Sequence, residues 1–334
     1  MKKRGQVSIQ FHWIFIIIAG ALILLFFINI AWKQKDISDR KIAGTVISHI
    51  NSLITSTSTD EEITNAIKTP EIELEFTCNK QGISEYAVKD TGQHIDTPIE
   101  IIFSPDIVKG KKLIIWSLPW QMPFKVDNFI VITSTDIRYI IIGSDHSTTV
   151  DDLYLNLPYE HLNLEKTSSL SQSQDKNNYK IRLIFIDQEP TTQELPKFIQ
   201  KMKDTAVSAV KISANQIQFY KKQKDSLISD GEISIIDTFS GKNPLLYAAI
   251  FAENSEMYNC ALNKAINRLN IIADIYKQRT KKLASSTGAC NLYYDTSQLN
   301  ILSTSKDINE IYSQASLLVS RNKIIQTRDC PLIY

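Results

Sequence analysis

The sequence lacks an excess of charge, a metal-binding cysteine pattern and a catalytic motif. Its 37 Lys and Arg residues nearly balance 36 Asp and Glu residues, for a net charge of +1. A nucleic-acid-binding protein would show a basic excess or a basic stripe. The cysteines form no C-x-x-C motif and no cluster with histidine at ligand spacing, which argues against a metal site. We therefore expect no nucleic-acid partner and no cofactor.

Charge is also absent from one long stretch near the N-terminus, residues 11–32. A helix of that length rises about 33 Å, enough to cross a hydrocarbon core of about 30 Å. Trp13 and Trp32 lie near its two ends, where amphipathic rings favour the headgroup region. A segment this long and apolar on all sides is rarely the core helix of a soluble protein. We therefore predict a single transmembrane helix at 11–32, with the lipid bilayer as its partner.

A short basic leader, residues 1–10, precedes this helix. It resembles the class III signal peptides of archaeal type IV pilins and pilin-like proteins. In that family a basic segment ends in Gly, Gln follows, and a Ser-hydrophobic-Glu-Phe tetrapeptide opens the apolar helix. The matching residues are Lys2, Lys3, Arg4, Gly5, Gln6, Ser8, Ile9 and Phe11. The resemblance implies cleavage between Gly5 and Gln6 by a prepilin-peptidase-like protease, and self-association of the apolar helix in a filament.

One position departs from the family pattern, because Gln10 stands where the family usually has Glu. A carboxylate there would neutralise a neighbour's terminal ammonium inside an apolar bundle, whereas an amide only forms hydrogen bonds. Basic residues flank the apolar stretch on both sides, so the positive-inside rule gives no orientation. The resemblance and the cysteines favour a cytoplasmic N-terminus and an extracytoplasmic C-terminal domain at the cell membrane.

After the apolar stretch, the pattern predicts a helical stem over residues 33–57. Its apolar residues recur at spacings of three and four, as on one face of a helix. They are Ile42, Val46, Ile50, Leu53 and Ile54. Residues 60–334 then predict an α/β domain with several short apolar strands.

Three features of this predicted domain are specific. Residues 179–212 have a β-α-β order, which favours a parallel pair of strands. Residues 164–178 are rich in Ser, Gln and Asn and predict a polar loop. Helical patterns over residues 244–285, with a break near Asn254, and over residues 307–323 predict that the domain ends in two helices. The expected fold class is thus α/β, on a single transmembrane helix and stem.

The four cysteines, Cys78, Cys260, Cys290 and Cys330, all follow the apolar stretch. This placement is compatible with two disulfides in an oxidising exterior. A Cys260–Cys290 bond is disfavoured, because an unbroken helix from Cys260 to residue 282 separates its ends by about 33 Å. The remaining residues up to Cys290 recover only about 26 Å. We expect Cys330 to pair with Cys260 or Cys290, and Cys78 with the other; four buried free thiols are the alternative.

Two further groups are candidate sites. Trp116, Trp120 and Phe124 lie in a stretch with two prolines that predicts a rigid loop. This loop either presents aromatic faces to a glycan or protein, or covers the core, and the second interpretation is favoured. The other group resembles an acid/base or metal cluster, but it is better explained as a helix start in which Thr148 and Thr149 precede acidic residues at capping spacing. Its other members are Asp145, His146, Asp151 and Asp152.

The preferred functional hypothesis is a membrane-anchored, surface-exposed, pilin-like protein with a structural, assembly or adhesion role. One alternative is a membrane-tethered ectoenzyme whose catalytic residues the sequence does not identify. A second alternative is an accessory subunit of a membrane complex.

Overall fold

The computed structural model describes residues 6–57, 62–78, 84–144, 147–190, 194–213, 216–234, 242–286 and 288–334. These residues form a mixed α/β fold that begins with one long helix, α1, at Gln6–Thr57. The strands are β1 (Thr64–Cys78), β2 (Ser84–Val88), β3 (Gln93–Thr97), β4 (Ile101–Phe103), β5 (Ile107–Gln121), β6 (Lys125–Ser134), β7 (Ile137–Ile142), β8 (Asn163–Thr167), β9 (Lys180–Ile186), β10 (Val207–Ser213), β11 (Gln216–Gln223) and β12 (Ser226–Ser234). The other helices are α2 (Thr148–Asn156), α3 (Lys197–Gln200), α4 (Pro244–Phe251), α5 (Ser255–Ser286), α6 (Ser297–Leu302) and α7 (Ile308–Gln326).

The strands form two six-stranded sheets. Sheet A has the order β3-β2-β1-β5-β6-β4 and is antiparallel except for the parallel pair of β4 and β6. Sheet B has the order β12-β11-β10-β9-β7-β8. Strands β8, β7, β9 and β10 are parallel to one another, whereas β11 pairs antiparallel with both β10 and β12. Strands β7 and β9 are buried along their whole length, as expected for parallel strands covered on both faces.

The main core joins side chains of sheet A, one face of sheet B, helices α4, α5 and α7, and the second half of α1. A smaller core covers the other face of sheet B, where residues of α3 contribute. The first turn of helix α2 packs directly against sheet B, beside Gly143. A Cβ at Gly143 would lie 2.4 Å from Val150 Cγ2 and 3.3 Å from Ile186 Cβ, so only glycine allows this close packing.

This architecture confirms some of the sequence predictions and corrects others. The predicted stem and the apolar stretch are one continuous helix, α1. The β-α-β order does produce parallel pairing, between β9 and β10. The polar segment 164–178 is only partly a loop, because its first residues belong to strand β8. Where the sequence predicted two C-terminal helices, the structure has four, α4 to α7, with the expected break just before α5.

Candidate functional site

The first half of α1 is an apolar surface that the domain does not cover. Every side chain from Trp13 to Trp32 is exposed, apart from partly exposed Ala19. The exposed fractions of Trp13 and Trp32 are 64% and 76%. By length and composition, this part of α1 is able to span a membrane. An exposed apolar surface of this extent marks a contact with lipid or with other proteins.

The second half of α1 belongs to the domain. Side chains at alternating spacings of four and three are at most 4% exposed. They are Ala43, Ile47, Ile50, Ile54 and Thr57. They pack towards β2, β3 and β5 of sheet A. The predicted stripe was partly wrong, because Ile42 is 48% exposed and Ala43 takes the buried position.

Residues 33–42 separate the two halves and carry mostly polar side chains. As helix they span about 15 Å. Lys33, Lys35, Arg40 and Lys41 are all exposed here. In general, long basic side chains beside an apolar surface lay their stems along it while their charge stays in water. The domain therefore begins about three helical turns after the apolar half ends.

The structure contains two disulfides, Cys78–Cys260 and Cys290–Cys330, with Cα–Cα distances of 6.3 and 5.9 Å. This is one of the two pairings that the sequence left open. Both bonds constrain α5, because Cys260 ties its first turns to the end of β1 and Cys290 ties the turn after it to the C-terminal segment. No free cysteine occurs in the part of the chain that is described.

Lys264 reinforces the attachment of α5 to sheet A, one helical turn after Cys260. Its Nζ donates hydrogen bonds to Thr97 O at 2.5 Å, Ser84 Oγ at 3.0 Å and Glu100 O at 3.0 Å. Burial lowers the pKa of Lys264 to about 8, although the charge of Glu100 opposes this shift. Lysine was not predicted at this position in the core, because its three acceptors lie more than 160 residues away in sequence.

The aromatic stretch does not form a ligand surface. Trp116, Trp120 and Phe124 are 2%, 0% and 4% exposed, so the ligand-surface alternative is wrong and the covering interpretation holds. Trp116 packs edge-on against Tyr247 of α4, with ring centroids 5.5 Å apart. The predicted loop is largely strand β5, which reaches Gln121. Burial follows because helices α4 and α5 cover this part of sheet A.

The predicted processing residue Gly5 and the cluster residues Asp145 and His146 lie outside the described residues, and α1 begins at Gln6. Near the cluster, Ser147 caps α2, because its side chain accepts a hydrogen bond from Val150 N at 3.4 Å. Asp151 lies in the first turn of α2 and pairs with Lys166 at 2.5 Å on the surface. The helix-start interpretation fits these contacts, although Ser147 and not Thr148 or Thr149 provides the cap.

A charged network that the sequence analysis missed fills the corner between α4 and α5. The buried guanidinium of Arg182 donates to the carbonyls of Ala249, Ile250 and Glu253 at 2.9, 3.0 and 2.9 Å. These carbonyls belong to the end of α4 and to the corner after it, where helical carbonyls lack intrahelical partners. Burial lowers the pKa of Arg182 to about 10, which still leaves it charged at neutral pH.

Lys180 extends this network on the same face of β9. It is buried and pairs with Asp106 and, at 2.7 Å, with Glu253. A cleft of about 470 Å³ opens above these groups. Its lysines are already paired, Lys221 with Asp230 at 2.8 Å and Lys222 with Asp204 at 2.7 Å. The alternation of charge within the apolar strand, at positions 180 and 182, was the only sequence signal for this network.

The described residues contain no group of three His, Cys, Asp or Glu side chains placed to hold a metal ion. The features that stand out are therefore the uncovered half of α1 and the covalent and ionic ties of the domain. The chain matches no protein-family model, no curated protein and no solved structure.

Proposed function

We propose that this chain is a single-pass, membrane-anchored surface protein with a pilin-like build and a structural, assembly or adhesion role. The observation that carries the proposal is the division of α1 into an uncovered apolar half and a half buried in the domain. The apolar half, placed in lipid, satisfies its backbone hydrogen bonds internally and removes its side chains from water. In a filament, the same surface would instead pack against copies of itself.

The continuity of α1 supports a display role. A helix without a break transmits orientation from the anchor to the domain, whereas a flexible linker would not. The exposed basic side chains within residues 33–42 suit the headgroup layer, which supports a domain that lies just outside it. Two disulfides fit an extracytoplasmic location, because such bonds persist in oxidising surroundings.

The N-terminus of the mature protein is the first test. The protein is purified from native membranes, and its mass and N-terminal peptide are measured. We expect a mature chain that starts at Gln6. Gly5→Leu should retain residues 1–5, while Gly20→Ala, inside the apolar half, should leave processing unchanged. A native chain that retains Met1 would contradict the pilin-like part of the proposal.

Orientation is tested on intact cells with a membrane-impermeant amine reagent. We expect labelling of exposed domain lysines such as Lys201 and Lys281, read by peptide mass spectrometry. Labelling that requires cell lysis would place the domain in the cytoplasm and contradict the surface location. Sedimentation and electron microscopy of the membrane extract then separate filaments from single anchored molecules.

A further inference from the structure

We propose that a cavity beside the first residues of β7 and β9 binds one compact anionic group, a carboxylate or a phosphate, carried on a small organic ligand. The cavity measures about 160 Å³ and is distinct from the charged cleft at the α4–α5 corner. Arg138, Asn178, Phe198 and Lys201 are among its lining residues. The proposal concerns the domain alone and does not rest on membrane anchoring.

The first observation is a buried guanidinium whose Nε–H has no hydrogen-bond partner among the described residues. The side chain of Arg138 is 1% exposed. Its Nη1 donates to Gln174 O at 2.5 Å, and its Nη2 donates to Glu165 Oε2 at 2.5 Å and Ser173 Oγ at 2.9 Å. Buried donors are almost always paired, so the unpaired Nε–H indicates a polar group that binds nearby.

Asn178 provides a second unsatisfied polar atom at the same cavity, an acceptor that a hydroxyl of the ligand, rather than its anionic group, would satisfy. Its Oδ1 is buried without a hydrogen-bond partner in the described part of the chain, while its amide nitrogen reaches Asp136 O at 3.4 Å. Two unsatisfied polar atoms that belong to lining residues of one small cavity favour a bound polar ligand over a packing defect.

The charge of the cavity selects an anion. Its lining contains Arg138, Lys176 and Lys201 against Asp175. Glu165 lies behind the lining and accepts from both Arg138 and Lys176. Burial alone would raise the pKa of Glu165, but hydrogen bonds from Arg138, Lys176 and Ser173 hold it below its usual value. With Glu165 ionised, one positive charge remains in excess, and Lys201 forms no ion pair with any described residue.

Apart from the two amide side chains of Asn177 and Asn178, the remaining lining is apolar, which favours an anion attached to an organic body. Ile181, Phe198 and Met202 form this part of the cavity. The guanidinium carbon of Arg138 lies 5.9 Å from the ring centroid of Phe198, so the aromatic ring and the cation meet at one place. The cavity is smaller than the roughly 300–1,000 Å³ typical of drug-sized ligands. A single acidic sugar or sugar phosphate matches this size and this mixture of surfaces.

The test is calorimetric titration of the full-length chain in detergent with D-glucuronate, D-glucose 6-phosphate and D-glucose. We expect saturable binding of at least one anionic sugar and none of D-glucose. Lys201→Glu should weaken that binding by about tenfold or more, because a charge-assisted hydrogen bond becomes a repulsion. Lys197→Glu is the matched control, since Lys197 is exposed at the start of α3 but does not line the cavity. Thermal melts of both variants verify the fold.

The outcomes separate the sources of the anion. Binding of glucuronate alone identifies a carboxylate, binding of the sugar phosphate alone identifies a phosphate, and either result with loss in Lys201→Glu supports the site. The proposal is overturned if neither anionic sugar binds, if D-glucose binds equally well, or if the two lysine variants weaken binding to the same extent.

Discussion

The two halves of α1 belong to one continuous helix, yet different surroundings hold them. Isoleucines occur in both halves, and Ile23 is 58% exposed in the first half whereas Ile50 is 1% exposed in the second. From Trp13 to Trp32 the first half is apolar on every side of the helix, and the domain buries none of these side chains. The second half is apolar along one stripe, which sheet A covers. Residue type alone therefore does not determine whether a helical surface suits lipid or protein; the distribution of apolar residues around the helix does.

The largest effects on domain stability and on membrane insertion are expected from placing a charge in each half of α1. Ile50→Asp buries a carboxylate without a partner and should prevent the domain from folding, because such burial is among the most destabilising single changes. Ile23→Asp should leave the melting temperature of the domain unchanged. Its cost, about 2.5–3.5 kcal/mol, falls on membrane insertion. Circular dichroism melts and membrane fractionation measure the two effects separately.

This comparison fails if both variants shift the same property. A domain that melts at a lower temperature in Ile23→Asp would mean that the first half also packs on the domain. Ile50→Asp should stay in the membrane fraction even with its domain unfolded, and its loss from that fraction would mean that the second half contacts lipid.

Removal of the disulfides should have the next largest effect on domain stability. It should also affect only the domain and leave the first half of α1 unchanged. In the chain-entropy estimate, Cys78–Cys260, which spans 182 residues, contributes about 5 kcal/mol to the free energy of unfolding. Cys290–Cys330, which spans 40 residues, contributes about 4 kcal/mol. The paired serine variants at Cys78 and Cys260 should therefore lower the denaturation midpoint more than those at Cys290 and Cys330. Both pairs should leave membrane retention at the wild-type level, and the reverse ranking would contradict the assignment.

The sequence predicted the long apolar helix of the first half of α1 correctly, because this signal lies in composition alone. It predicted the second half less well, with Ile42 in place of Ala43, because the buried face depends on how sheet A approaches the helix. The sequence could not show whether Trp116 is buried or exposed, because an aromatic side chain suits a core and a ligand surface equally. Arg182 and Lys264 were missed for a related reason. Their hydrogen-bond acceptors are far away in sequence. No local pattern therefore predicts these buried cations, whose hydrogen bonds form only in the folded chain.

A smaller effect is expected at the polar contact between α1 and sheet A. The buried Tyr86 hydroxyl donates to Asn51 Oδ1 at 3.2 Å. Burial raises the pKa of Tyr86, so the hydroxyl stays protonated and remains a donor. Asn51→Ala leaves this donor without a partner and should lower the free energy of unfolding by about 1–3 kcal/mol. Asn29→Ala, at an exposed position of the first half, is the matched control and should not change it. Equal melting temperatures for the two variants would show that this hydrogen bond does not stabilise the domain.

The smallest effect distinguishes the halves through glycine. A Cβ at Gly44 would lie 3.4 Å from Gln93 Oε1, the flexible end of a side chain, whereas a Cβ at Gly20 would meet nothing within 4 Å. Alanine favours a helix over glycine by about 1 kcal/mol, so Gly44→Ala should raise the unfolding free energy of the domain by up to that amount. Gly20→Ala should leave it unchanged, because that turn is outside the cooperative unit that unfolds. Gly44→Leu should lose the gain, since its longer side chain must displace Gln93, while Gly20→Leu should be tolerated. If Gly20→Ala stabilised the domain as much as Gly44→Ala, the two halves would unfold together and the division of α1 would be wrong.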